Sequence, residues 1–239
     1  MSDVLKRIEE IKRLKERREN GEMNLIPFYQ HFPRLSKFIP GLFRQGIYKI
    51  LSGTGIGKSK LARYLSVIIP YELSKSSNLK FHTLFFALEE SKEEFIDSMI
   101  LMMLKIHHNI ELDRLTLNSY FENPLNNKIL EKILEVQQYV EEVMSCVTVI
   151  DDIRNPTGIY KACEEFSNER GTHHTKSIKL GSEVREVYDY YNANNKEEFI
   201  LVVVDHISLL QPEYSNIYGR ALTARESMSL WNDDYCSRI

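Results

Sequence analysis

Leu5, Ile8, Ile11 and Leu14 recur every three residues in a stretch, 3–19, whose other positions are mostly Lys, Arg and Glu. That spacing predicts an amphipathic helix with one apolar stripe. A helix of this length is marginal in water by itself, so the stripe has to pack, either on its own domain or on a neighbouring subunit. Residues 21–40 follow as a polar connector punctuated by Pro27, Pro33 and Pro40, with aromatic anchors. From Gly46 apolar runs of strand length alternate with longer helical patterns. Strands are predicted over 46–51, 80–88, 146–151 and 199–205. Helices are predicted over 58–73, 91–107, 126–144, 156–168 and 183–191, with a last one from Gly219. Ser91 followed by Glu94 is a capping-box signature for the second of these. Residues 171–182 are polar with Gly near both ends and read as a small hairpin or a loop. The run FILVVVD at 199–205 is the most apolar, as in a strand buried on both faces. Alternating strands and helices predict an α/β fold with a mostly parallel sheet flanked by helices.

Composition narrows the function classes. The 239 residues are 43% hydrophobic and 27% charged, enough for a proper core. A net charge of −3 excludes a globally basic nucleic-acid binder but leaves room for a local basic strip. No apolar run approaches the roughly 20 residues of a membrane helix, and the first residues lack a signal-peptide core. A cytoplasmic protein is expected. Cys146, Cys163 and Cys236 are odd in number and lack C-x-x-C spacing, which argues against a disulfide framework and a Cys-rich zinc site. His107-His108 and His173-His174 are adjacent pairs, not the i, i+4 spacing that puts two imidazoles on one helix face.

The candidate chemistry lies at three strand ends. Ser52-Gly53-Thr54-Gly55-Ile56-Gly57-Lys58-Ser59 sits between a predicted strand and a helix, and meets G-x-x-x-x-G-K-[ST] except for Ser52 at its first position. Glycines there let backbone N–H groups wrap phosphates at a helix N-terminus. Lys58 would reach the β- and γ-phosphates, and Ser59 would hold Mg²⁺. Asp205 ends the run at 199–205, where the Mg²⁺ shell needs an acid. Asp151 or Asp152 competes for that role, but Asp151 reads better as the cap of a turn or an adjacent helix. The segment Ala87-Leu88-Glu89-Glu90-Ser91 supplies a carboxylate to orient or deprotonate an attacking water. Glu89 comes straight off the strand, while Glu90 fits a helix-start charge.

Taken together, SGTGIGKS, FFALEES and FILVVVDHISLLQPE resemble the RecA-like motor of DnaB-type (superfamily four) replicative helicases, above all the phage primase-helicase and Twinkle branch. The specific part is Asp205-His206-Ile207-Ser208-Leu209-Leu210, and the likeness covers about residues 30–239, weakly between 110 and 195. The segment from Phe32-Pro33-Arg34-Leu35 to Gly41-Leu42 and Gln45-Gly46 is similar to the lead-in of such cores. The resemblance implies a RecA-like P-loop ATPase domain over 23–239, preceded by a linker helix over 1–22 that docks on the neighbouring subunit. It implies ATP and Mg²⁺ as cofactors. Residues 52–59 would bind nucleotide, Lys58, Glu89 and Asp205 would carry catalysis, and Ser59 and Asp205 would hold Mg²⁺, Asp205 through water. His206 falls where related enzymes have His or Tyr, in a sensing or a structural role. The implied activity is ATP hydrolysis coupled to translocation on single-stranded DNA during replication. The implied assembly is a homo-hexamer in a phage or bacterial host cytosol, with primase and polymerase as further partners and no membrane.

This sequence departs from that pattern in two ways. The interval from Lys58 to Asp205 is longer than such a core needs, which implies an insertion near 113–126 or 170–195. The chain also ends one predicted helix after Asp205, so a C-terminally truncated core with an incomplete sheet is expected. Arg220, Arg225 and Arg238 do not match the place of the family's arginine finger. Residues 214–223 (YSNIYGRALT) read as a DNA-channel loop or a polar connector. A RecA or RadA-type recombination ATPase and a nucleotide-binding module without turnover are the alternatives.

Overall fold

A computed structural model describes residues 3–20, 23–53, 55–120, 124–180, 183–195, 197–211, 214–215, 220–221, 223 and 226. In chain order the helices are α1 (Asp3–Glu19), α2 (Lys58–Arg63), α3 (Ile69–Ser76), α4 (Lys92–His108), α5 (Arg114–Leu117), α6 (Asn127–Ser145) and α7 (Pro156–Arg170). The longer strand pairs are built from β1 (Leu25–Pro27), β2 (Gly41–Phe43), β3 (Lys80–Ala87), β4 (Val147–Ile150), β5 (Gly171–Leu180), β6 (Glu183–Ala193) and β7 (Glu198–Asp205). The chain forms two compact units, Met1–Asp152 with Phe199–Ile207, and Ile153–Glu198 with Ser208–Ile239.

In the first unit a three-stranded parallel sheet runs in the order β4-β3-β7. The central strand β3 is the most deeply buried, with Phe85, Phe86 and Ala87 fully enclosed. Helices α4 and α6 pack on each other, and Phe95, Met99, Met103, Val136, Val140 and Val143 join the core. The Ser91 capping box forms as predicted, with Ser91 Oγ accepting from the Glu94 N–H at 3.2 Å and Glu94 Oε2 from the Ser91 N–H at 2.9 Å. Strand β7 differs from expectation. It stands at the edge of the sheet, so its aliphatic run is mostly half-buried and Ile200 is 42% exposed.

The helix predicted over 58–73 runs from Lys58 to Ser76 as α2, a π turn over Tyr64–Ile68, and α3. Pro70 explains the wider turn. It has no N–H for the Ser66 carbonyl, and its ring clashes with that carbonyl in a regular helix. The released acceptor is served by β3, whose Thr83 Oγ1 donates to Ser66 O at 2.6 Å.

Three predicted elements need correction. Residues 46–51 form no strand. Gln45 adopts a left-handed φ of 60°, and the Gly46 N–H returns to Phe43 O at 3.2 Å. The Tyr48 hydroxyl then donates to Gly41 O at 3.0 Å and accepts the Phe43 N–H at 2.7 Å. These local bonds hook the segment onto β2 and leave Leu51 89% exposed. The connector over 21–40 is also more ordered than a loop, since β1 and β2 pair antiparallel with Ile26 opposite Leu42. The predicted helix over 183–191 is strand β6, paired antiparallel with β5 along a long hairpin. Val184, Val187, Tyr188, Tyr190 and Tyr191 have helical spacing but are strand-forming residues. Cross-strand contacts decide the matter, including the stack of His174 on Tyr190 at 4.4 Å and the Lys176–Asp189 pair at 2.7 Å.

The stripe of α1 stays open, with Leu5 52% and Ile11 53% exposed. Beyond Leu210 the second unit shows a short pairing of Tyr214 and Ser215 with Ala221 and Arg220. The Thr223 N–H donates to Glu226 Oε2 at 2.8 Å, and Thr223 Oγ1 accepts the Glu226 N–H at 3.3 Å. Thr54, Arg225, Arg238, Cys236 and the rest of the predicted last helix lie outside the described residues.

Candidate functional site

The Gly-rich loop enters its helix through two left-handed residues, Gly55 at φ +75° and Gly57 at φ +91°. Gly57 caps α2, and its carbonyl accepts the Leu61 N–H at 2.9 Å. A side chain at either glycine would be strained, while the glycines leave the loop free to turn its N–H groups inward. Lys58 Nζ bends back over the loop and donates to Gly53 O at 2.8 Å and Ser52 O at 3.2 Å. Ser59 is half-buried in the first turn, and Ile56 is exposed.

Two contacts fix how this helix lies on the sheet. Arg63 near its start meets Glu90 beyond the end of β3, while Ser66, further along the helix, meets Thr83 in mid-strand. The helix therefore runs antiparallel to β3. Its N-terminus, with Lys58 and Ser59, points past the C-terminal edge of the sheet.

That edge also carries the acids. The Leu88 N–H donates to Asp205 O at 2.8 Å, so the ends of β3 and β7 are joined side by side. Asp205 is 7% exposed. The Glu89 side chain is 59% exposed, with Oε2 3.7 Å from His206 Nε2. Asp151, at the end of β4, accepts the Lys92 N–H at 2.6 Å and so caps α4, the role its position suggested. The N-terminal end of α2, Glu89 and Asp205 thus lie toward one edge of one unit, although no hydrogen bond joins Lys58 to either acid among the described residues.

Sequence reasoning missed the buried charges beneath this edge. Arg63 forms an ion pair with Glu90, their side chains only 5% and 13% exposed. Glu90 Oε2 also takes a bond from Arg114 Nη2 at 3.0 Å. Arg114 in turn holds Glu94 Oε1 at 2.9 Å and Ser98 Oγ at 3.0 Å. Burial raises the Glu90 carboxyl above its ordinary range; Arg63 and Arg114 oppose that shift, and Asp205 adds to it. Burial likewise lowers the Arg63 guanidinium, against the pull of Glu90 and Asp205. The legible signal was Arg63 itself, a charge inside the apolar run LARYLSVI.

The donor set fits a nucleotide polyphosphate: glycine-permitted backbone N–H groups, a helix N-terminus and Lys58. Ser59 and Asp205 suit Mg²⁺, which takes few protein ligands and relies on phosphate oxygens. Among the described residues no three His, Cys, Asp or Glu side chains gather to hold a metal. The histidine pairs are engaged elsewhere, His107 stacked on Tyr139 at 3.9 Å and His173 bonded to Ser167 at 2.6 Å. Buried Cys163 has its thiol pushed up to about 12, which suits packing and not reactivity. A cleft of about 310 Å³ between α3, α4 and α6 is lined by Tyr71, His107, Tyr139 and Glu142 and by none of the loop or edge residues. Among the described residues no helix is long and apolar enough to cross a membrane.

Compared with protein-family models, curated proteins and solved structures, the chain matches none.

Proposed function

We propose that this chain is the ATPase motor, or part of it, of a replicative DNA helicase with a RecA-like core. The observation that carries the reading is the Gly55/Gly57 loop opening a helix that points off the sheet edge where Glu89 and Asp205 end. In this reading loop 52–59, Thr54 included, cradles the phosphates of ATP. Lys58 exchanges its bonds to Ser52 O and Gly53 O for the β- and γ-phosphates and neutralises charge that builds there. Ser59 and Asp205 would hold Mg²⁺, Asp205 through water, and the ion would supply positive charge that offsets that of the phosphates. Glu89, exposed at the edge, takes the proton of the water that attacks the γ-phosphorus as the bond to ADP breaks. His206, with Nε2 3.7 Å from Glu89 Oε2, would serve in a sensing or a structural role. The partners are single-stranded DNA and further copies of the chain in a homo-hexamer, with primase and polymerase at the replication fork in a phage or bacterial cytosol.

A nucleotide-binding module without turnover is the second reading. The unpaired segment over 46–51 favours it, because the strand that should brace the loop is missing from the sheet. A RecA or RadA-type recombinase shares the core, but DHISLL after β7 suits the helicase branch better. The test is ATP hydrolysis by residues 1–239, with and without single-stranded DNA. Lys58→Ala should abolish turnover, and Glu89→Gln should bind ATP without hydrolysing it. Wild-type turnover in Lys58→Ala would discard the phosphate-loop assignment. ATP bound but never hydrolysed by the unaltered chain would select the second reading.

A further inference from the structure

We propose that Glu90 is a positioning residue for this ATP site: it holds the Arg63 guanidinium away from Asp205, leaving that carboxylate free for Mg²⁺. The inference rests on the ATP reading above. Arg63 has few places to go. Its side chain is 5% exposed, one face lies toward the Phe95 ring with the centroid 5.7 Å away, and its Nε has no hydrogen-bond partner. Glu90 Oε1 takes the bond from Arg63 Nη1, and the next buried carboxylate at this edge is Asp205, whose backbone carbonyl accepts the Leu88 N–H at 2.8 Å two residues before Glu90. No ion pair joins Arg63 to Asp205 among the described residues.

Glu90 is kept in place from the other side. Its second oxygen is bonded to Arg114, which is tied to α4 through Glu94 Oε1, Glu94 O and Ser98 Oγ, each bond between 2.9 and 3.0 Å. Arg114 therefore fixes Glu90, and Glu90 fixes Arg63. If Glu90 loses its charge, Arg63 faces Arg114 with Asp205 as its remaining acidic neighbour. A buried guanidinium that loses its carboxylate is drawn toward the next one at the same edge, because the low dielectric makes both the penalty and the attraction large. The guanidinium and the metal would then compete for one carboxylate.

The experiment is binding of a fluorescent ATP analogue (mant-ATP) to the full chain, titrated with Mg²⁺, with thermal unfolding followed in parallel. Glu90→Gln should raise the Mg²⁺ midpoint of nucleotide binding about tenfold or more, equivalent to roughly 1.4 kcal/mol of added competition. Binding in EDTA should stay as in the wild type. The double variant Arg63→Met/Glu90→Met removes the competitor with its guard, a swap that buried ion pairs often tolerate. Its midpoint should return to the wild-type value. If Glu90→Gln only lowers the unfolding temperature and leaves the Mg²⁺ midpoint in place, Glu90 is structural and the inference fails. If Glu90→Gln does not fold, Arg63→Met decides, since its midpoint should lie at or below that of the wild type and a higher one overturns the idea. A wild type that binds no mant-ATP at any Mg²⁺ concentration overturns the ATP reading itself, a separate and recognisable failure.

Discussion

Thr83→Val should destabilise the first unit well beyond what a same-shape substitution normally costs. Thr83 is fully buried on β3, and its hydroxyl donates to the Ser66 carbonyl at 2.6 Å. In a regular helix that carbonyl would accept from residue 70, which here is proline. Valine keeps the volume of threonine but supplies no donor, so Ser66 O is left buried without its partner. Leaving a buried acceptor unsatisfied costs about 1–3 kcal/mol. For a chain of this size each kcal/mol lowers the unfolding midpoint by about 2–4 °C, so a fall of about 4–8 °C follows for a middle value of about 2 kcal/mol. Thermal unfolding monitored by circular dichroism reads it directly. The rescue is specific. Pro70→Ala restores an N–H to the helix at the right place, so Thr83→Val should cost less on the Pro70→Ala background than alone. An undiminished cost in the double variant would refute the account of the π turn, and an unaltered midpoint in Thr83→Val would refute the hydrogen bond.

Two further outcomes follow from local chemistry. The Glu142 carboxyl is held down to about 2 by bonds from Lys75 and Tyr71, against an ordinary value of 4.5. A lowered folded-state value stabilises above pH 4.5, and the effect fades as pH falls toward 2. The unfolding-temperature gap between wild type and Glu142→Gln should therefore shrink as pH drops below 4.5, and a gap constant from pH 7 to pH 3 would contradict the contact. Ser91→Ala should cost about 1 kcal/mol by breaking the capping box of α4. Urea unfolding checks this, and an unchanged midpoint would mean that Asp151, which accepts the Lys92 N–H, suffices as the cap.

The sequence by itself determined whatever is settled within a few residues. The glycine-rich pattern at 52–59 lies where Gly55 and Gly57 turn left-handed before Lys58, and Ser91 and Glu94 cap α4 as their spacing requires. Asp151 caps a helix, and the runs at 80–88, 146–151 and 199–205 are strands of one parallel sheet, because an apolar run of that length between helices has few other ways to bury itself. Tertiary structure decided whatever depended on a distant partner. An apolar run does not become a strand without a neighbour to pair with, so GIYKIL, hooked by Tyr48 onto β2, stays out of the sheet. Residues 183–193 carry helical spacing but become β6 because β5 offers them a ladder. The Arg63–Glu90–Arg114 cluster joins residues far apart in the chain, and its charges are affordable only because each buried group meets an opposite one. No reading along the chain shows that meeting, since it exists only once α2, β3 and α5 are packed together.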